Sequence, residues 1–211
     1  MIKIIIADDH AIVRKGLRQI LEETMEMLVA AEASNGFELL EKLRKDTFDI
    51  VILDITMPGK NGLDTLKDIK AEFPKLPVLV LSVHSEDQYA IRTLRSGAAG
   101  YINKKSAPEE LIQAIQVVSS GRKYISPTVA DALVTNLTPS ADKPPHELLS
   151  DREYQVMCMI ASGKSVSTIS KDLCLSVKTI STFRAHILRK MNMKDNAEIT
   201  HYAIKNQLVD E

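Results

Sequence analysis

Short apolar runs recur along the first half of the chain, each followed by a longer stretch whose apolar residues fall three or four apart. The runs Ile2–Ala7, Met27–Ala33, Ile50–Leu53, Val78–Leu81 and Gly100–Ile102 predict five strands alternating with five helices. Ile-Val-Ile-Leu and Val-Leu-Val-Leu lack polar alternation, so these strands should be buried on both faces of a parallel sheet with helices on either side. The helices are legible in Ile12, Val13, Leu17, Ile20 and Leu21, and again in Leu111, Ile112, Ile115 and Val118. The pattern predicts a doubly wound α/β domain over residues 1–121.

Beyond Gly121 the character changes. A short helix is expected from Thr128 to Leu137, followed by Thr-Pro-Ser-Ala-Asp-Lys-Pro-Pro-His146, whose prolines and small polar residues deny it regular structure. Residues 122–147 read as a linker with a short helix. From 148 to 211 the pattern is helical throughout, broken at Gly163 and around Asn192 to Asn196, which predicts a second, all-α domain.

Composition fits a globular protein: 211 residues, 45% hydrophobic and 26% charged. The 27 Lys and Arg against 28 Asp and Glu leave a formal net charge of −1, which by itself advertises no nucleic-acid partner. That balance is an average, because residues 150–211 carry 9 Lys and Arg against 7 Asp and Glu while residues 1–149 are net acidic. Cys158 and Cys174 are too few for a disulfide framework and lack zinc-ligand spacing. The charged pair Asp8-Asp9 interrupts the N-terminal apolar run too early for a signal peptide, and no run approaches a membrane span, so a cytoplasmic protein without a membrane partner is expected.

In open parallel sheets ligands bind at the carboxyl ends of the strands. Asp8 and Asp9 follow the first predicted strand, Asp54 the third, Ser82 the fourth, and Lys104 lies just beyond the fifth. Three carboxylates on one edge repel and call for a counter-charge, and oxygen-only ligands suit Mg²⁺. With a hydroxyl and an ammonium added, the set fits phosphoryl transfer, in which a carboxylate can itself be the acceptor. Asp54 is the best acceptor candidate, closing the central strand ahead of the turn Met57-Pro58-Gly59. Taken singly, each residue has a plainer role: Asp8, Asp9 or Ser82 as helix caps, Lys104 as a solvated surface lysine.

Between Ser176 and Lys194 stand Lys178, Arg184, Arg189, Lys190 and Lys194 and no acidic residue. At about 100° per residue, Thr182, Ala185 and Arg189 lie within about 40° of Lys178, whereas Ile180, Phe183, Ile187 and Met191 fall on the opposite side. A shorter helix over Ser165 to Leu173, a turn at Cys174-Leu-Ser176 and Ser176 as N-cap complete a helix-turn-helix pattern. The plain alternative is a helical bundle whose basic helix is simply a solvated face.

Asp8-Asp9-His10, Leu53-Asp54-Ile-Thr-Met-Pro-Gly-Lys-Asn-Gly62, Leu81-Ser82 and Gly100-Tyr101-Ile-Asn-Lys104 resemble the receiver domain of two-component response regulators, a flavodoxin-like fold. Leu149-Ser-Asp-Arg-Glu153, Ala161-Ser-Gly-Lys-Ser165, Leu175-Ser-Val-Lys-Thr179-Ile and Leu188-Arg-Lys-Met191 resemble the LuxR-type output domain, so the whole chain looks like the NarL/FixJ group. The resemblance implies that Asp54 accepts a phosphoryl group from a sensor histidine kinase. Asp9 would bind Mg²⁺ directly and Asp8 through water or hydrogen bonding, with Asp54 and the Thr56 carbonyl completing the ligands. Lys104 would pair with the phosphate, Ser82 would hydrogen-bond it, and Tyr101 would follow the serine inward. Thr56 and His84 flank the site and would tune the lifetime of the phosphate.

For the second domain the resemblance implies double-stranded DNA as partner. Ser181, Thr182 and Ala185 would face bases, and Lys178, Thr179, Arg184 and Arg189 would face phosphates. Few of these are bidentate base readers, so shape and backbone contacts should carry much of the specificity. The last helix, around Ala197 to Lys205, would pair the active protein as a homodimer, and RNA polymerase would be a further partner. The chain departs from the family in Val166-Ser-Thr-Ile-Ser170, where Asn-Lys-Glu-Ile-Ala is common, and in Phe183, where histidine is common. The expected protein is a phosphorylation-activated transcription regulator, not an enzyme. An aspartate-nucleophile phosphatase would need an acid at position 56, where Thr56 stands, and a dinucleotide enzyme would need a glycine-rich turn after the first strand.

Overall fold

The computed structural model describes residues 1–82, 86–130, 133, 144–206 and 208–209, and the side chains of 86–88 are excepted. His84 and most of the expected helix Thr128 to Leu137, with the proline-rich stretch after it, lie outside the described residues. The chain divides into two compact units, residues 1–134 and 135–211.

The first unit alternates β1 (Ile2–Ala7), α1 (Ala11–Glu22), β2 (Met27–Ala33), α2 (Gly36–Lys45), β3 (Ile50–Asp54), α3 (Gly62–Glu72), β4 (Val78–Ser82), α4 (Glu86–Arg95), β5 (Gly100–Asn103) and α5 (Ala107–Ser119). The sheet is parallel throughout, in the order β2-β1-β3-β4-β5. Every residue of β3 and β4 is buried, which is why their sequences show no alternation. Ile4, Ile6, Ile50, Ile52, Leu79, Leu81 and Ile102 meet Leu17 and Leu21 of α1 and Leu111, Ile115 and Val118 of α5 in one continuous core.

The order reverses between β1 and β3, and the crevice above that point is where open α/β sheets bind ligands. Residue register aligns the carboxyl ends: Ala7 faces Leu53, Asp54 faces Leu81, and Ser82 faces Asn103. The first unit also continues past the expected boundary at 121. Tyr124 N–H donates to Ala99 O at 2.9 Å, Tyr124 bridges Gly100, its hydroxyl donates to Glu110, and Val129 is fully buried. A Cβ on Gly100 would lie 2.9 Å from the Tyr124 carbonyl, so this approach requires glycine. The start of the segment read as linker therefore belongs to the first unit.

The second unit opens with a 3₁₀ turn, Pro145–Leu148, followed by α6 (Asp151–Ala161), α7 (Val166–Asp172), α8 (Val177–Lys190) and α9 (Asn196–Lys205). Ser150 and Glu153 form a reciprocal capping box at α6. Serines at 165 and 176 cap α7 and α8, and Asp195 caps α9, each side chain accepting the N–H three residues on. Cys174 and Asn192 adopt left-handed backbone at φ 52° and 54°, which makes the turns between α7 and α8 and between α8 and α9 tight.

Candidate functional site

Asp8 and Asp54 are each only 1% exposed, and Lys104 joins them. Its Nζ donates to Asp8 Oδ2 at 2.6 Å and to Asp54 Oδ2 at 2.7 Å. Asp54 Oδ1 accepts Thr56 N–H at 3.1 Å, and Asp8 Oδ1 accepts His10 N–H at 2.8 Å. Asp9 stands exposed beside them. Asp8, Asp9, Asp54 and His10 each offer a ligand atom, all within 4.8 Å of one another.

Local sequence explains the convergence. Asp8 leaves the end of β1 with its carbonyl held by an Arg14 guanidinium N–H at 2.7 Å, which ties the β1–α1 turn to the first turn of α1. Behind Asp54, the first turn of α3 lies so close that a Cβ on Gly62 would sit 2.4 Å from the Asp54 carbonyl. Asn61 caps α3 through Leu63 N–H at 2.9 Å, fixing the loop that carries Thr56. Lys104 is placed by its own N–H, which donates to Ser82 O at 2.8 Å across the β4–β5 pair.

The electrostatics follow from burial. Removal from water pushes the Asp54 carboxyl above its ordinary value; Lys104 opposes the shift and Asp8 adds to it. Burial disfavours the Lys104 ammonium, but it faces two carboxylates, Asp54 foremost, and they hold it above its ordinary value. Among the described residues one cation stands among three carboxylates, which leaves the cluster under-compensated, and its donors are mostly hard oxygens. The residues present fit a divalent cation such as Mg²⁺.

Ser82 is fully buried at the end of β4, and Tyr101, buried on β5, pairs in register with Val80. The Thr56 hydroxyl oxygen is buried without a hydrogen-bond partner among the described residues. The capping alternatives for Asp8 and Asp9 do not apply: the N-cap of α1 is His10, which makes no side-chain cap bond. His10 stands in the DDH string but carried no distinguishing period or spacing. Its contacts with Asp8 and Asp9 emerge only in three dimensions.

In α8, Lys178, Ser181, Thr182, Ala185 and Arg189 form an exposed stripe, while Ile180, Ile187 and the following Met191 are buried. Phe183, expected on the core side, is only half-buried. Ser181 and Thr182 hydroxyls donate to the carbonyls of Val177 and Lys178, so what they present outward is acceptor lone pairs. Thr179 is half-buried, with its Oγ1 2.7 Å from Ser176 Oγ at the cap. Arg184 spends its Nε–H on Asn196 Oδ1 at 2.6 Å. Lys190, counted in sequence among the basic residues of this helix, donates to the buried Glu153 carboxylate at 2.6 Å. Burial alone would raise Glu153, but Lys190 and the N–H and hydroxyl of Ser150 outweigh it and hold the carboxyl below its ordinary value. No described helix is long and apolar enough to cross a membrane.

Comparison with known proteins agrees with both halves. Residues 4–116 match the family model of the response regulator receiver domain, and residues 147–203 match that of bacterial regulatory proteins of the luxR family. The chain is 36% identical over 209 residues to the response regulator UvrY of Escherichia coli K12, covering 99% of this chain and 96% of UvrY. It is 37% identical over 211 residues to the response regulator GacA of Pseudomonas syringae pv. syringae B728a, covering 100% and 99%. Among solved structures, RcsB of Salmonella enterica serovar Typhimurium bound to promoter rprA with the phosphomimetic BeF₃⁻ superposes with a TM-score of 0.68 at 27% identity, over 95% of this chain and 97% of that one. With an acidic crevice on a receiver fold ahead of a capped helix-turn-helix, the chain belongs to the two-component response regulators of the NarL/FixJ group, with a receiver domain followed by a LuxR-type DNA-binding domain.

Proposed function

We propose that Asp54 is the phosphoacceptor and that its phosphorylation by a sensor histidine kinase controls DNA binding through α8. The carrying observation is the convergence of Asp8, Asp9, Asp54 and Lys104 at the switch point of the sheet. An Asp54 carboxylate oxygen attacks the phosphorus of a phosphohistidine. The P–N bond breaks, the imidazole leaves with the electron pair, and an acyl phosphate forms. Asp8, Asp9, Asp54 and the Thr56 carbonyl are the groups that would hold Mg²⁺, which when bound neutralises charge on the transferring phosphoryl.

Lys104 already lies in hydrogen-bonding distance of Asp54 and is suited to pair with the added phosphate oxygens. The Ser82 hydroxyl at the end of β4 supplies a further donor, and Tyr101 on the neighbouring strand is the aromatic that reports its movement. The division of labour is a receiver over 1–121 extended by the stretch through Val129 that packs on it, a connecting segment from there to 147 and a reader over 148–211. In the reader, Lys178 and Arg189 are exposed cations of α8 without an ion-pair partner among the described residues, and with Thr179 and Arg184 they are assigned to phosphates. Ser181, Thr182 and Ala185 are assigned to base edges. The active species is a homodimer on double-stranded DNA, in keeping with RcsB, which has been solved as two dimers bound to two DNAs. The protein acts in the cytoplasm, as a regulator and not as an enzyme.

Incubation with acetyl phosphate and Mg²⁺ should add one acid-stable, base-labile phosphate per chain, and Asp54→Asn should abolish it. Labelling that persists in the variant would sink the assignment.

A further inference from the structure

We infer that His10 gives the acidic cluster a nitrogen donor that sets its metal selectivity, so that a borderline transition ion such as Ni²⁺ binds through Asp8, Asp9, Asp54 and His10 in competition with Mg²⁺. The inference rests on the reading of this cluster as the divalent-ion site.

Three lone-pair-bearing atoms converge at one point. His10 Nδ1 lies 2.9 Å from Asp9 Oδ1 and 3.3 Å from Asp8 Oδ1. Two carboxylate oxygens and an imidazole nitrogen at these separations repel unless something positive stands between them, either the single Nδ1 proton or a metal ion. Donors about 2.1 Å from one metal are about 3.0 Å apart at a right angle and about 3.4 Å apart at a tetrahedral one; the 3.3 Å separation falls between these and the 2.9 Å separation within about 0.1 Å of the right-angle value. The Asp54 ligand atom falls within the same 4.8 Å group. Lys104 covers the other side of the cluster, on the Oδ2 atoms of Asp8 and Asp54, and so does not stand in the way.

The ring is also available. His10 occupies the N-cap of α1 but makes no cap bond with its side chain, which is 63% exposed. It can join or leave an ion without loss to the fold. Mg²⁺ takes oxygen ligands and retains waters, so it gains little from an imidazole; Ni²⁺ favours nitrogen and stands well above Mn²⁺ in affinity for mixed N/O sites. His10 is therefore neutral toward Mg²⁺ and favourable toward the transition ion.

The test is equilibrium binding of Ni²⁺ and of Mg²⁺ to the untagged full chain, wild type and His10→Ala, counting only Ni²⁺ that excess Mg²⁺ displaces. This excludes ions held by His186 or His201. The expected result is a loss of roughly tenfold or more in Ni²⁺ affinity with Mg²⁺ affinity held within about twofold. Pulsed EPR of bound Mn²⁺ should show ¹⁴N coupling from a directly bound imidazole in the wild type and none in the variant. Equal weakening of both ions, or unchanged Ni²⁺ binding, would overturn the role of His10 while leaving the cluster as a cation site. Absence of any Mg²⁺-displaceable ion would overturn the cluster reading and this inference together.

Discussion

Lys104 Nζ stands 2.7 Å from Asp54 Oδ2 although the two residues are 50 positions apart, one just beyond β5 and the other closing β3. The same ammonium bonds Asp8, so one cation holds two buried carboxylates. Lys104→Met would strand both. Removal of one partner from a buried ionic cluster is expected to destabilise the receiver by about 3 kcal/mol in EDTA. Saturating Mg²⁺ should recover much of that loss, because an added cation replaces the missing charge. Urea unfolding with and without Mg²⁺ measures both quantities, and a loss insensitive to Mg²⁺ would contradict the shared-cation picture.

The Asp54 carboxyl lies above its ordinary value because burial disfavours its charge. A group raised in the folded state binds its proton more tightly there than in the unfolded chain, so its contribution to stability is present at low pH and lost as pH rises through the folded value. The ionised carboxylate thus weakens the fold at neutral pH. Asp54→Asn should melt higher than wild type at pH 7 in EDTA, and the gap should close toward pH 3. A variant that melts lower at pH 7 would refute this.

Glu38 behaves oppositely. Lys42 and the Ser34 N–H hold its carboxyl down at about 2, against an ordinary 4.5. Its contribution is complete above the ordinary value and disappears as pH falls from there through about 2. Glu38→Gln should therefore flatten the acid limb of the stability profile in that window and leave its shape above pH 6 unchanged, as read by thermal melts across pH.

The cations of α8 separate by role. Lys178→Ala and Arg189→Ala should each reduce the log–log salt slope of DNA binding by about 0.9. Lys190→Ala should leave that slope alone and instead lower the stability of the second unit. It takes the ammonium from Glu153 and leaves that carboxylate to the Ser150 donors, at a cost of about 1 kcal/mol once the 35% exposure of Lys190 is allowed for. A slope change from Lys190→Ala with no loss of stability would reverse the two assignments.

The strands were legible because β3 and β4 are buried on both faces and must be apolar at every position; Asp54 and Ser82 stand out as the polar residues that end them. The cap at Ser176 was legible in the same way, because a cap needs one side-chain acceptor at a fixed offset; Ser150 and Ser165 cap their helices by the same rule, although the sequence pattern puts Ser165 inside its helix and gives Ser150 no such role. The fate of individual charges was less legible. On a helical wheel Arg184 and Lys190 lie about 120° either side of Lys178, flanking the core, where a long side chain can turn outward or inward. Asn196 and Glu153 decide that, and both come from other helices. Tyr124 was hidden for a related reason: one aromatic after a polar turn has no periodicity, and its bridge to Gly100 depends on the missing Cβ.

That bridge has a counterpart across the sheet. On β2, the carbonyls of Val29 and Glu32 accept from the side chains of Arg18 and Lys42, while at β5 the backbone of Tyr124 takes the Ala99 carbonyl. Both margins of the sheet are thus engaged in part by groups of the same chain, which an added strand would have to displace. A molecule approaching the receiver would therefore meet its helical faces and loops before a free backbone edge.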